Sequence, residues 1–319
     1  MSPRRVIGID AGGTKLLGAV VDEGLSVGHR AHHLWHGADR AAVLDTIVGV
    51  VEEARAAAPD VVAVGFGIPS LVESRTGRSL SSVHLPLDDV PFRELMAERI
   101  GLPAYVDNDA NLATLAEQRH GAARGARDMA MLTLGTGIGG GLVLGGELYR
   151  GSVGAGAELG HMVVEIDGPE CFGACPGRGC LEALASGSAL ARDGLRAAEE
   201  EPASALGVAL AAGTEISGLF VTEAALAGDT AARGVVELAG RRLGAGITSI
   251  VNAFNPEVVV VGGGVSAAGE LLLGPARAVV MERALGPSRE AVRIVAAEFG
   301  PESGMLGAAE LALEGVRAA

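Results

Sequence analysis

The chain is 319 residues long, 49% hydrophobic and 20% charged, enough to bury one large core or two ordinary ones. A net charge of −14 speaks against a nucleic-acid partner, because phosphate backbones call for clustered Lys and Arg. No apolar run reaches the roughly 18 residues that span a bilayer, and Arg4 and Arg5 lead into a short strand and Asp10 rather than into an apolar signal core. A cytoplasmic protein with neither membrane nor nucleic acid as partner is expected.

In chain order, Val6 to Asp10 reads as a buried strand, Ala11-Gly12-Gly13-Thr14 as a tight glycine turn, and Lys15 to Asp22 as the returning strand. Lys15 is the only lysine in the chain; every other basic residue is an arginine. His29, His32, His33 and His36 fall in a strand and loop and read as surface or packing residues. Ala38 to Ala58 carries the helical period, with Val43, Ile47, Val50, Val51 and Ala54 on one face. Val61 to Phe66 is predicted as a strand, Phe92 to Ile100 as a helix and Ala104 to Val106 as a strand. Asn108-Asp109 then open a helix running to about His120.

The plan then restarts. Met129 to Leu134 is a strand, Gly135 to Gly141 a glycine turn, Leu142 to Leu144 a returning strand, and Glu147 to Tyr149 a third strand after another turn. Such an internal duplication predicts two similar α/β domains facing one another, with a nucleotide held by both glycine turns. The boundary is placed in the small-residue, charged stretch Gly121 to Arg127. This gives a first domain over 1–121, a larger second domain over 122–302, and a last helix over about 303–319 that packs back on the first. The second half continues with a cysteine-rich loop, Ala-rich helices and a long helix from about Thr230 to Phe254. A buried strand ending in Gly262-Gly263-Gly264 and a strand over Val292 to Ala296 follow, before the helix that begins near Ser303.

Several clusters carry chemistry. In Asp10-Ala11-Gly12-Gly13-Thr14-Lys15 the glycines let backbone N–H groups approach a phosphate, and an Asp at a strand end suits water-mediated Mg²⁺. Thr136 and Gly137, in the second glycine turn, form the counterpart. Its GxGxxG spacing is not read as a dinucleotide turn, because a strand and not a helix follows. Gly262, Gly263 and Gly264 lie between a strand and a helix and suit an adenosine edge. No P-loop is present. Asn108 and Asp109 read in two ways: as the cap of the helix they open, or as a strand-end site in which Asp109 is the general base for a hydroxyl. His161, Cys171, Cys175 and Cys180 make a closed set, one imidazole and three thiolates, for a structural Zn²⁺ worth on the order of 10 kcal/mol to the loop. Glu158 and Glu182 flank it, either as solvated surface carboxylates or as hydrogen-bond acceptors that the metal would hold in place.

In this order the motifs resemble the ROK family of sugar kinases and repressors, and glucokinases within it. The resemblance rests on Asp10-x-Gly-Gly-Thr-Lys15, Gly67-Ile68-Pro69, Asn108-Asp109-Ala110-Asn111, Gly135 to Gly141, Glu158-Leu159-Gly160-His161, Gly179-Cys180-Leu181-Glu182 and Gly262 to Gly264. It implies an actin-like ATPase (ribonuclease H-like) fold with two similar α/β domains around a cleft, and ATP-dependent phosphorylation of a hexose, glucose foremost, at its 6-hydroxyl. It makes Asp109 the catalytic base, and Asn108, Glu158, His161 and Glu182 the sugar-binding residues, with Ser70 near the sugar entry. Gly12, Gly13, Thr14 and Lys15 would lie along the phosphates opposite Thr136 and Gly137. Asp10 would help to place Mg²⁺, and a homodimer or homotetramer is implied. The sequence departs from the family pattern in three places: three residues instead of one separate the first two cysteines, Ser70 stands for a common Gly, and Val83-His84-Leu85 for Pro-Asn-Leu. Family repressors carry an N-terminal helix-turn-helix, whereas five residues precede the first strand here, which points to the kinase branch.

Overall fold

The computed structural model describes residues 4–12, 15–35, 39–82 and 85–319. The predicted Gly13, Thr14, His36, Val83 and His84 lie outside the described residues. By internal packing the chain forms two units. Unit 1 holds Met1–Arg124, Leu148–Ala157 and Pro301–Ala319, and unit 2 holds Gly125–Glu147 and Glu158–Gly300.

Unit 1 begins with strands β1 (Arg5–Ala11), β2 (Lys15–Asp22) and β3 (Val27–Leu34). They form an antiparallel meander in which Ile7 faces Val20 and Lys15 faces Leu34. Helix α1 (Arg40–Ala57) follows, started by Asp39, whose carboxylate accepts from the Ala42 amide at 2.9 Å. Its buried residues, Val43, Leu44, Ile47, Val50, Val51 and Ala54, repeat at helical spacing and enter the core with Ile7, Ile9, Phe66 and Phe92. Strand β4 (Val64–Ile68) runs parallel to β1 and is buried at every position, as expected of a parallel strand covered on both faces. A small hairpin, β5 (Ser70–Glu73) and β6 (Arg78–Ser82), precedes helix α2 (Phe92–Ile100). Strand β7 (Ala104–Asn108) then pairs with β4, and helix α3 (Asp109–Arg119) leaves directly from its end. The sheet order is β3-β2-β1-β4-β7.

Unit 2 repeats the plan. Strands β8 (Met129–Leu134), β9 (Ile138–Leu144) and β10 (Glu147–Leu148) form the meander. Helices α4 (Leu181–Ala185), α5 (Gly187–Glu200), α6 (Ala205–Ala211), α7 (Gly218–Leu226) and α8 (Thr230–Phe254) follow. Strand β11 (Val258–Gly262) is again buried throughout and parallel to β8. After α9 (Glu270–Arg283) and α10 (Gly286–Ala291), strand β12 (Arg293–Ala296) completes the order β10-β9-β8-β11-β12. The last helix, α11 (Ser303–Ala318), packs on β1, β4 and α3 of unit 1 and buries Met305, Leu306, Ala308, Ala309, Ala312 and Leu313. Among the described residues, no helix is long and apolar enough to cross a membrane.

The segment Leu148–Ala157 differs from the sequence reading, which left it in the second domain: it belongs to unit 1. Two contacts hold it there. Gly154 lies against the Val72 backbone, and Arg150 reaches Asp107 of β7.

Candidate active site and metal centre

In unit 1 the predicted residues gather at the C-terminal ends of β1 and β7. Asp10 is half-buried on β1, and its carboxyl fills the space where a side chain at Gly304, in the first turn of α11, would project. Enclosure away from water, and then the charge of Asp109, push the Asp10 carboxyl up to about 7. Gly12 follows β1, and Lys15 opens β2 with its side chain exposed. The single tryptophan, Trp35, donates from its indole Nε1 to the Gly12 carbonyl oxygen at 3.1 Å.

At the end of β7, Asn108 is the helix cap. Its Oδ1 accepts from the amides of Ala110 at 2.9 Å and Asn111 at 3.1 Å, and its Nδ2 donates to the Ser70 carbonyl at 3.3 Å. Of the two readings left open by the sequence, capping therefore belongs to Asn108 and does not account for Asp109, which stands one residue on, in the first turn. Asp109 Oδ1 accepts from the Ala110 amide at 2.9 Å.

Asp107, just before the motif, is 4% exposed and acts as a hub. Its Oδ1 accepts from the Asn108 amide at 2.8 Å and from Asn111 Nδ2 at 3.0 Å, and its Oδ2 from Arg150 Nε at 2.6 Å. This ion pair fixes the backbone that carries Asn108 and Asp109. The sequence reading missed Asp107, Arg150 and Trp35. Adjacency to Asn108 was the one signal for Asp107; the other two act through contacts remote in sequence.

Ser70 is 3% exposed; its hydroxyl bonds Ser79 Oγ at 2.5 Å and donates to the Ser81 carbonyl at 2.7 Å, closing the β5–β6 hairpin, while its carbonyl accepts from Asn108.

In unit 2 the second glycine turn, the Glu158–His161 turn and α4 meet. Thr136 is exposed in the turn, and its carbonyl accepts from the Ser188 amide at 3.2 Å and Ser188 Oγ at 2.9 Å. Glu182, in the first turn of α4, reaches the same turn: its Oε2 accepts from the Ile138 amide at 2.8 Å. A Cβ at Gly137 would stand 2.2 Å from that oxygen, so the turn admits only glycine there while Glu182 keeps its place. Glu158 precedes the short 3-10 turn Leu159–His161. Removal from water raises its carboxyl above the ordinary range; His161 opposes that rise and Glu182 adds to it, which makes the three neighbours. Gly263, after β11, has φ +83, and a Cβ there would meet the Leu134 carbonyl oxygen at 2.4 Å. Gly264, with open space around it, starts a 3-10 turn.

His161, Cys171, Cys175 and Cys180 bring one ligand atom each to within 4.8 Å of all the others. His161 Nδ1 lies 3.6 Å from Cys171 Sγ, and Cys175 Sγ lies 4.0 Å from Cys180 Sγ. Four donors held tetrahedrally at about 2.0–2.3 Å from a zinc ion stand roughly 3.5–3.8 Å apart, so the set fits the metal. The loop is shaped for it: the Cys171 amide donates to the Gly177 carbonyl at 3.0 Å and the Gly177 amide to Cys175 Sγ at 3.4 Å. The wider spacing between the first two cysteines is absorbed in 172–174 without removing Cys171 from the set. Burial, and then Cys180 and Cys175 beside it, push the Cys171 thiol up, and burial does the same for Cys180. A bound cation would offset that rise at Cys171 and Cys180, because metal binding takes the deprotonated ligand. Cys171 Sγ also lies 3.7 Å from Glu182 Oε1, so the cysteine set and the second glycine turn meet at one carboxylate.

The sequence profile of the ROK family matches residues 6–315. A glucokinase of Streptomyces coelicolor is 36% identical over 97% of this chain and 97% of its own. Among solved structures, a ROK family glucokinase from Streptomyces griseus in complex with glucose and AMPPNP superposes with a TM-score of 0.87 at 35% identity, covering 97% of this chain and 99% of that one. A ROK hexokinase from Thermus thermophilus gives a TM-score of 0.78 at 35% identity, covering 99% and 100%. Paired sheets of matching order and these likenesses define an actin-like ATPase fold of the sugar-kinase class. The chain belongs to the ROK family.

Proposed function

We propose that this protein is an ATP-dependent hexose kinase that transfers the γ-phosphoryl group of MgATP to the 6-hydroxyl of glucose. The observation that carries the reading is Asp109. It stands at the end of β7 with capping already done by Asn108, in a chain alike over nearly its whole length to a glucokinase whose structure holds glucose and AMPPNP.

A sugar hydroxyl is a weak nucleophile, so a base must accept its proton as the phosphoryl group arrives. Asp109 takes that proton at its carboxylate, held in place by the Asp107 hub. Asn108, Glu158, His161 and Glu182 bind the sugar hydroxyls. The family resemblance assigns the phosphates to Gly12 and Lys15, and also to Thr136 and Gly137, and the adenosine to Gly262, Gly263 and Gly264.

Asp10 is the residue that would help hold Mg²⁺. Its carboxyl, pushed up to about 7, would ionise more readily beside a cation, and the metal would supply neutralisation of phosphate charge. His161, Cys171, Cys175 and Cys180 hold one structural Zn²⁺, His161 through Nδ1, which leaves its other ring nitrogen for the sugar. We also assign the protein to the cytoplasm as a homodimer or homotetramer. Exposed Phe254, Met281 and Leu285, near the ends of α8 and α9, support association.

The test is ADP release with MgATP across glucose, N-acetylglucosamine, mannose and fructose, wild type beside Asp109→Asn. Glucose is expected to give the highest kcat/KM, and the variant to lose about 10²- to 10⁴-fold in kcat while still binding glucose. Sugar binding by calorimetry with no turnover by the wild type would make the protein a sugar sensor and end the kinase reading.

A further inference from the structure

Helix α5 starts against the second glycine turn, and its first amides serve that turn. The first N–H groups of a helix have no partner within it. In α5 Gly187 donates to the Gly135 carbonyl at 2.8 Å, Ser188 to the Thr136 carbonyl at 3.2 Å, and Ala189 to the cap hydroxyl of Ser186 at 3.2 Å. Ser188 adds its hydroxyl, which donates to the same Thr136 oxygen at 2.9 Å. Gly187 permits this approach, since a Cβ there would stand 2.7 Å from the Gly135 oxygen.

The remaining carbonyl of the turn, that of Gly137, accepts from the Gly135 amide at 2.9 Å. Every carbonyl between β8 and β9 is thus taken. The amides of Thr136 and Gly137 meet no acceptor among the described residues, and Thr136 is exposed while Gly137 is half-buried. A trans peptide carries its N–H opposite to its C=O in one rigid plane. Carbonyls of Gly135 and Thr136 turned onto α5 therefore turn the amides of Thr136 and Gly137 away from it. Successive backbone amides presented in this way attract an anion. The two bonds from Ser188 to the Thr136 oxygen set the plane that carries the Gly137 amide.

We propose that Ser188 is a positioning residue of the second glycine turn: from the first turn of α5 it holds the Thr136 carbonyl, so that the Gly137 amide is presented to the phosphates of MgATP and MgADP. The proposal rests on the kinase reading above for the identity of the ligand.

The test uses full-length, zinc-loaded protein in four forms: wild type, Ser188→Ala, Ser188→Thr and Gly187→Ala. Ser188→Ala removes the hydroxyl bond and keeps the amide bond. It is expected to raise the calorimetric Kd for MgADP and the KM for MgATP about threefold. Ser188→Thr restores a hydroxyl and should return both to near the wild-type value. Gly187→Ala must displace the Gly135 oxygen and should raise both roughly tenfold or more. The KM for glucose and the zinc content should stay unchanged in all four. A Ser188→Ala protein with wild-type MgADP affinity overturns the proposal, as does a loss that Ser188→Thr fails to recover or an equal rise in the KM for glucose. A wild type that binds MgADP but phosphorylates no hexose defeats the kinase reading alone, and the MgADP comparison still decides Ser188. A wild type that binds no nucleotide defeats both.

Discussion

Asp10 and Asp109 are two carboxylates of unit 1 whose charges oppose one another. Burial first, and that opposition second, make the Asp10 charge a liability to the free protein. An unfolded Asp10 loses its proton near 3.8, whereas the folded one keeps it to about 7. The folded state therefore binds more protons in that window, and its stability falls as pH rises through it. A gap of about three pKa units corresponds to an upper bound on the order of 4 kcal/mol. Asp10→Asn is expected to raise the melting temperature at pH 8 and to leave it unchanged below about pH 4. MgADP should reverse the ranking at pH 8, stabilising the wild type more than the variant. Thermal melts at the two pH values, with and without MgADP, check both statements; a variant no more stable than wild type at pH 8 would show that the Asp10 charge is met within the protein.

At the scale of the element, the cysteine loop and α4 form one device. Cys180 precedes Glu182 on the chain, and Cys171 touches Glu182 in space. A metal that gathers the cysteines thereby sets the carboxylate that meets the Gly137 turn and the imidazole of His161. Elemental analysis is expected to give about one zinc per chain in the wild type and none in Cys175→Ser. Stripping the metal should raise the KM for glucose at least tenfold and leave the Kd for MgADP near its wild-type value. Equal loss of both would mean that the loop supports unit 2 generally.

Much of this was legible in the sequence, for physical reasons. Both hairpins announce themselves because apolar runs are interrupted by glycines at the same spacing, and α8 because its apolar residues keep the helical period over 25 residues. The metal set is compact in sequence as well as in space. The β5–β6 hairpin left no such trace: its second strand, Arg78–Ser82, is polar and depends on Ser70 and Ser79 bonding across it. The same holds for Ser70 itself, whose small hydroxyl reads equally well as ligand or as strut. The Arg150–Asp107 and Trp35–Gly12 contacts join positions remote in sequence, and no local pattern records them.

At the scale of the whole molecule, unit 1 is assembled from three stretches of chain, and α11 is the last of them. Its residues Met305, Leu306, Ala309 and Leu313 are each no more than 3% exposed, covered against β1, β4 and α3. Burying side chains of this kind stabilises by about 1.5–3 kcal/mol each for the larger ones, a large share of an ordinary domain's stability. A chain ended after Gly300 is expected to leave unit 1 open to proteolysis while unit 2 stays resistant. Limited digestion followed by mass spectrometry of the fragments checks this, and protection of β1 to β4 in the shortened chain would contradict it.

The same arrangement bears on synthesis. A ribosome delivers β1 to β7 first, then the whole of unit 2, and only afterwards the helix that covers the first sheet. The half of the protein made first thus stays unfinished longest, with the apolar face of β1 and β4 bare while unit 2 is translated. Unit 2, continuous apart from one short excursion, can close before it. The first sheet thus lacks its covering helix until the end of synthesis, and exposed apolar surface of that kind is where aggregation begins.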